Sequence, residues 1–340
     1  MSGGVDSSLT AALLKEQGHE VVGVYMKNWT RDLPGMRCPW ADDLADAKRV
    51  AVRLGIDFKV YDFENEYRQK VVDYMIDEYR RGRTPNPDIM CNQEVKFKLF
   101  LEAALADGAE IIATGHYART ENGRLLMAVD DKKDQTYFLY RVTSDALRQT
   151  VFPIGEFDKQ TVRQMAAERG LITADKKDSQ GICFVGQIGM REFLSEYVDT
   201  KPGPIIDKLT NQPIGTHDGA IFYTIGQRHG LDLGGGLPYY VVGKNMDRNE
   251  VYVTTNLNDD QLWRPLVELA DVHWIKGVAP IDGTYRVRAR HRGALLPARV
   301  VNSDGTVRLE FEQPERAIAA GQSVVIYDGD ECLGGGIVLA

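Results

Sequence analysis

The sequence is short of cysteine, of long apolar runs and of net positive charge. Four of its 340 residues are cysteines, at positions 38, 91, 183 and 332. Their scatter excludes a disulfide framework and a CxxC zinc pattern, so no metal site is expected and the thiols are either inert or chemical. No apolar run reaches the length of a bilayer span, which excludes a transmembrane segment. The first residues carry neither a basic-apolar signal nor an arginine-rich transit pattern, so the expected address is the cytoplasm. Lys and Arg number 41 against 49 Asp and Glu, a formal charge of −8. That balance weighs against a surface given over to phosphate contacts, although a local cationic patch can bind RNA on an acidic protein. With 43% hydrophobic and 26% charged residues, the chain reads as a globular protein of two or three domains. It shows neither an internal repeat nor a low-complexity stretch.

What is present begins at once, with Met-Ser-Gly-Gly-Val-Asp-Ser-Ser. Two glycines let backbone approach a charged ligand, and Ser2, Ser7 and Ser8 add hydroxyl donors. The run from Leu9 to Lys15 reads as a helix. A helix N-terminus presents unbonded N–H groups and partial positive charge, so this turn suits phosphate. No lysine follows the glycines, which excludes the GxxxxGK[ST] loop. Phosphate loops of this kind normally follow a buried strand and none precedes this one, so the first strand is expected to be missing or supplied otherwise.

Helices are expected over 7–17, 45–54, 67–81 and 95–106, and buried strands over 21–26, 58–63 and 111–114. Strand and helix in alternation mean a doubly wound α/β parallel sheet, with ligands at the carboxyl ends of the strands. Thr84-Pro85-Asn86-Pro87-Asp88 interrupts the pattern, because each proline lacks an N–H and restricts the residue before it. Lys201-Pro202-Gly203-Pro204 marks a boundary. From about Leu266 short alternating segments separated by Asp-Gly turns predict a small antiparallel β-barrel or sandwich. The expected domains are therefore 1–198, a nucleotide-binding catalytic domain; 199–265, a small central domain; and 266–340, the barrel.

Two cysteines have suggestive surroundings. Cys91 follows Asp88 by three residues at the start of a helix; a carboxylate does not acidify a thiol, so the pairing suggests proton traffic. Cys183 lies in Asp178-Ser179-Gln180-Gly181-Ile182-Cys183-Phe184, with Lys176 and Lys177 upstream, where a thiol could ionise and move. Each segment alone reads as an inert thiol. His116 follows a strand and reads either as a core histidine or as a site residue. Arg286, Arg288, Arg290 and Arg292, at alternate positions, read either as a phosphate rail on one strand face or as a solvated face. Cys38 and Cys332 suggest no role.

Read together, the words are more specific. Ser2-Gly3-Gly4-Val5-Asp6-Ser7 resembles the PP-loop of ATP pyrophosphatases. It is followed in order by Pro85-Asn86-Pro87-Asp88-Ile89-Met90-Cys91-Asn92, Ala113-Thr114-Gly115-His116-Tyr117-Ala118-Arg119, Lys133-Asp134-Gln135-Thr136-Tyr137-Phe138-Leu139, the Cys183 segment and Thr224-Ile225-Gly226-Gln227-Arg228-His229-Gly230-Leu231. Across essentially its whole length the chain resembles the bacterial tRNA-specific 2-thiouridylases. The resemblance implies a PP-loop domain, a small central domain and a C-terminal barrel, and a monomeric enzyme. ATP, with its Mg2+, would adenylate the C2 oxygen of a wobble uridine. Cys183 would carry a persulfide from a cysteine desulfurase or a sulfur-relay protein. Cys91 would be the nucleophile and Asp88 the acid/base, and Cys91 and Cys183 would end as a transient disulfide.

By the same resemblance Ser2, Gly3, Gly4, Val5, Asp6, Ser7 and Ser8 hold the nucleotide's phosphates, with Met26 and Gly115 bordering its adenosine. Asn86, Pro87 and Asp88 meet a flipped-out base, because a stacked base presents no C2 face. His116, Lys133, Asp134, Gln135, Arg288, Ala289 and Gln322 contact tRNA, although Ala289 stands where an aromatic is common in the family. Two rival readings remain: a PP-loop synthetase acting on a small molecule, which needs no cysteine pair, and a non-catalytic RNA-binding protein.

Overall fold

The computed structural model describes residues 1–32, 38–177, 189–234, 236–303 and 305–339. The chain enters through a turn ending at Gly4 and passes into helix α1 (Val5–Glu16), whose inner face carries Val5, Leu9, Ala12 and Leu13. Strand β1 (Val22–Lys27) follows, then α2 (Trp40–Leu54), closed by Gly55 in the left-handed region at φ 59°. Strand β2 (Asp57–Asp62) pairs with β1 in parallel, Val22 opposite Asp57. Two longer helices, over 64–80 and 87–106, each contain a π-helical stretch, at Arg68–Val72 and Cys91–Leu99. Wide helical turns of this kind are frequent at functional sites.

Strand β3 (Ile112–Ala113), the hairpin of β4 (Ala118–Glu121) and β5 (Arg124–Met127), and β6 (Thr150–Val151) complete the sheet elements of the first domain. β3 and β6 pair in parallel, so the parallel strands fall into two separate pairs, β1–β2 and β3–β6. No strand precedes α1 among the described residues.

The central region is a four-stranded sheet of β7 (Gly203–Asp207), β8 (Gln212–His217), β9 (Tyr240–Asn245) and β10 (Glu250–Thr254), in the order β8-β7-β10-β9. The glycine-rich appearance of this stretch hides these strands at the level of sequence. The last domain holds β11 (Trp263–Trp274), β12 (Gly283–Arg288), β13 (Leu296–Ser303), β14 (Thr306–Arg316), β15 (Ser323–Asp328) and β16 (Glu331–Val338). They run β11-β14-β13-β12-β15-β16, and a β11–β16 pairing closes them into a six-stranded antiparallel barrel, as the alternating segments predict.

Two cores meet across the barrel wall. Val287, Val300, Leu309, Val324 and Ile326 fill its interior. Val325, Tyr327 and Cys332, alternating with those residues along the same strands, face outward into the core of the first domain beside Phe97, Tyr137 and Leu139. The β4–β5 hairpin extends the barrel sheet directly, Leu125 opposite Cys332. The first domain is thus zipped onto the barrel by hydrogen bonds as well as by apolar packing. No helix among the described residues is long and apolar enough to cross a membrane.

Candidate active site

The phosphate loop is built by close backbone packing. Gly3 has φ 75°, and a Cβ there would lie 2.4 Å from the carbonyl oxygen of Asp43 at the start of α2. Only glycine fits that position. Ser7 Oγ receives the Ser2 N–H at 3.1 Å, and Ser8 Oγ donates to the Gly4 carbonyl at 2.8 Å. The first N–H groups of α1 have no carbonyl four residues back to bond, so they are available to an anion.

Asp6 sits in this first turn, but its carboxylate is engaged. Lys159 Nζ donates to both oxygens at 2.8 and 2.9 Å, and the Tyr117 hydroxyl donates to Oδ1 at 3.0 Å. Asp6 therefore reads as the anchor that joins the loop to the segment after β3. Tyr117 belongs to a word singled out above, whereas Lys159 gives no sequence signal. Gly115 packs against the same turn: a Cβ on it would lie 2.7 Å from backbone atoms of Asp6 and Ser7. Met26, at the end of β1, is half-buried against the first domain's core. Met26 and Gly115 thus occupy the carboxyl ends of their strands, the edge where such sheets bind ligands.

The proline loop becomes a helix start. Asn86 caps it, its Oδ1 accepting from the N–H groups of Asp88 at 3.1 Å and Ile89 at 3.3 Å, and Pro87 fills the first turn. Asp88 and Cys91 lie three residues apart on the continuous 87–106 helix, hence on one face. Burial pushes the Asp88 carboxyl up from its ordinary range, and the charge of Lys96 offsets part of that rise. A carboxyl so placed keeps its proton to higher pH, which suits a proton donor. Cys91 is buried in a cluster with Trp29, Cys38, Tyr67, Val95, Phe193 and Leu194. Cys183 lies outside the described residues.

His116 is wedged between Phe97 and Phe152, with ring centroids 5.7 and 6.1 Å away, and its Nδ1 is 2.7 Å from the Thr114 hydroxyl. Burial, and then the charge of Lys96, drive its pKa well below the ordinary histidine value, so the ring is neutral. Gln135 forms a reciprocal pair with Tyr117: its Oε1 accepts the Tyr117 N–H at 2.9 Å and its N–H donates back at 2.8 Å. Lys133 is half-buried next to it.

Three of the expected tRNA contacts, Asp134, Arg288 and Ala289, are buried. Asp134 and Arg288 are buried and bind each other, Arg288 Nη1 donating to Asp134 Oδ2 at 2.8 Å, with side chains 0% and 7% exposed. Asp134 also receives the Thr136 hydroxyl at 2.7 Å and the Ala128 N–H at 3.1 Å. Ala289 is buried in the barrel interior. None of the three presents a surface to RNA; Asp134 and Arg288 instead join the two domains.

Arg286, Arg290 and Arg292 are exposed, but the four arginines do not share one strand. β12 ends at Arg288, Arg290 pairs with Glu315 at 2.8 Å, and Arg292 adopts φ 60°. Lys176 is held by Asp43 and Asp46 at 2.8 and 2.7 Å. Gln322 does lie near the site. Its turn carries Ala320, whose carbonyl accepts the Thr84 N–H at 2.8 Å, at the entrance to the proline loop. Among the described residues no cluster of His, Cys, Asp or Glu could hold a metal ion.

Comparison with known proteins places these features. Residues 1–187 match the family described as the tRNA methyl transferase HUP domain, 191–255 the tRNA methyl transferase PRC-barrel domain, and 266–338 the aminomethyltransferase beta-barrel domain. Proteins named tRNA-specific 2-thiouridylase MnmA from Bacillus thuringiensis (strain Al Hakam), Bacillus cytotoxicus and Bacillus anthracis are each 46% identical over 346 residues. The match covers 99% of this chain and 93% of theirs. A solved chain titled as a predicted subunit of tRNA methyltransferase from Methanocaldococcus jannaschii is 23% identical, covering 49% of this chain and 73% of its own. Its TM-score of 0.33 is too low to inform fold or function.

Proposed function

The chain belongs to the MnmA family of tRNA-specific 2-thiouridylases, and from that premise we propose that it replaces the C2 oxygen of a wobble uridine with sulfur at the expense of ATP. The observation that carries this reading is that the described residues on either side of the Cys183 stretch lie at the phosphate loop and at the Cys91 pocket. Just before it, Lys176 is tied to Asp43, whose carbonyl packs on Gly3 of the phosphate loop. Just after it, Phe193 and Leu194 enter the buried cluster that contains Cys91.

The chemistry is set by those neighbours. An amide-like C2 oxygen is a poor leaving group, and attack of that oxygen on the α-phosphate of ATP would give an O-adenylate and pyrophosphate. The loop of Ser2, Gly3, Gly4 and Ser7 would hold the phosphates through backbone and hydroxyl donors, with magnesium arriving on the nucleotide. Asn86 holds the helix start so that Asp88 stands at the base. Asp88, keeping its proton, would donate it where negative charge builds during sulfur attack.

A persulfide on Cys183, loaded by a cysteine desulfurase or a sulfur-relay protein, supplies the sulfur. In one route its terminal sulfur attacks C2 and AMP leaves; the Cys91 thiolate then attacks Cys183 Sγ and releases thiolated tRNA. In the other, Cys91 first displaces hydrosulfide, which attacks C2. Either route leaves a Cys91–Cys183 disulfide that an external thiol must reduce, with its atoms and electrons in balance.

The test is a single turnover with tRNA, ATP and a desulfurase but no reductant. Thiolated tRNA, AMP and a Cys91–Cys183 disulfide should appear in equal amounts, and Cys183→Ser should form no product while binding both substrates. Product with both thiols reduced would refute the paired-cysteine mechanism. Methylated tRNA made from S-adenosylmethionine would refute the reaction.

A further inference from the structure

Cys91 is followed by two residues tied to one segment of chain. Asn92 Nδ2 donates to the carbonyl of Phe138 at 3.0 Å, and Gln93 Oε1 accepts from Arg141 Nε. Arg141 is 8% exposed; its guanidinium lies over the Tyr140 ring, and both of its terminal nitrogens reach one residue of the barrel. Its Nη1 donates to the main-chain oxygen of Asp271 at 2.8 Å, and its Nη2 to the Asp271 carboxylate at 3.0 Å. A planar fork that reaches three acceptors fixes distance and angle together, which lysine could not do.

Asp271 is an unusual point of the barrel. It has φ 46°, rare outside glycine, and lies where the pairing of β11 with β16 slips between Ala270 and His273. An extra residue in one strand bends it and re-aims the side chains beyond the bend. Arg141 thus grips the barrel at its bulge and the catalytic helix two residues beyond Cys91. The Thr84–Ala320 hydrogen bond ties the same barrel to the loop before that helix.

We propose that Arg141 is a positioning residue, setting the place of the Cys91 turn relative to the barrel so that sulfur is delivered in line with the activated base. This rests on the reading of Cys91 as the nucleophile. The residues assigned to adenylation lie on α1 and at the ends of β1 and β3, and the hydrogen bonds of Arg141 go to Gln93 and Asp271 instead. Loosening the link would therefore slow sulfur transfer and leave adenylation alone. A misplacement of about 1 Å at a reacting group can cost on the order of a hundredfold in rate.

The experiment follows both steps in one turnover, with persulfide-loaded enzyme and labelled ATP. In Arg141→Ala, adenylated tRNA should form at the wild-type rate and accumulate, its conversion to thiolated tRNA falling roughly 10- to 100-fold. The tRNA dissociation constant should stay within about twofold. Asp271→Ala should reproduce the defect and the double variant should add little to it, because both act through one joint. Arg141→Lys should rescue only in part. Should Arg141→Ala fail to fold, Gln93→Leu, which cuts the same link at its other end, carries the same readout.

Wild-type sulfur transfer in the folded variant, or both steps slowed together, overturns the proposal. Cys91→Ser is run alongside: if it still converts the adenylate, the nucleophile reading has failed, whatever Arg141→Ala shows.

Discussion

Arg288→Met tests whether the densest arginine run of the chain is a joint or an RNA contact. In the native structure Arg288 gives one charged hydrogen bond to a carboxylate with no exposed surface, and its guanidinium carbon lies 5.5 Å from the centre of the Tyr327 ring. Methionine replaces much of the volume but none of the charge, leaving Asp134 with only Thr136 and the Ala128 N–H. Removing one partner of a buried ion pair costs about 3–5 kcal/mol. The surviving donors, the Thr136 hydroxyl and N–H and the Ala128 N–H, place this case toward the lower end, about 3 kcal/mol. With a urea slope of about 3 kcal/mol per molar, the unfolding midpoint should drop by about 1 M.

Trp263 and Trp274, at the two ends of β11, provide the fluorescence signal. Adding Asp134→Asn to Arg288→Met removes the orphaned charge and should recover most of the loss, since a buried pair replaced as a whole is often nearly neutral. In parallel, tRNA affinity is measured against salt. A lost phosphate contact flattens the log–log slope by about 0.7 to 0.9, and a lost joint leaves it unchanged. An unchanged urea midpoint together with a flattened slope would refute the buried-joint assignment.

Two further outcomes concern the site itself. Gly115→Ala must push its Cβ into the backbone of Asp6 and Ser7, so the KM for ATP should rise at least about tenfold while tRNA affinity is kept; an unchanged KM in a folded variant would detach Gly115 from the nucleotide site. Asp88→Asn should inactivate sulfur transfer yet stabilise the protein at pH 7. The folded-state pKa of Asp88 is raised, so the native state binds its proton more tightly, and a cost absent at low pH appears as pH climbs above the unfolded value of about 3.9. The advantage of the variant should shrink as pH is lowered toward that value, and thermal melts across the range check the direction.

The features legible in the sequence are local. The start of α1, the end of α2 near 54 and the alternating strands of the barrel each depend on a few neighbouring residues, and each is found near where those residues predict it. The Cys91 helix is visible from 95 onward but not in its first two turns, because the prolines that mark a break also serve as the start of a helix. The central sheet escapes notice because short strands among glycines carry too little alternation to register. Lys159, Gln93 and Arg141 escape it because ion pairs and hydrogen bonds across more than forty residues leave no periodic trace.

Arg288 shows why position on a strand cannot settle exposure. Period two separates the two faces of β12, and it correctly places Val287 in the barrel interior and Arg288 on the outside. In a barrel standing alone the outer face meets water, and four arginines there would form a cationic stripe. Here the outer wall at β15 and β16 is the floor of the catalytic domain's own core, and the stretch from Asp134 to Tyr140 lies across it. The same covering that removes Arg288 from RNA explains the word that runs from Lys133 to Leu139. Thr136 meets the Tyr327 hydroxyl, Tyr137 donates to the Ser323 carbonyl, Tyr140 meets the Ser323 hydroxyl, and Phe138 receives Asn92 beside Cys91. Beyond the three residues that the resemblance suggests for tRNA contact, this word is the seam along which the barrel is set against the helix that carries Cys91.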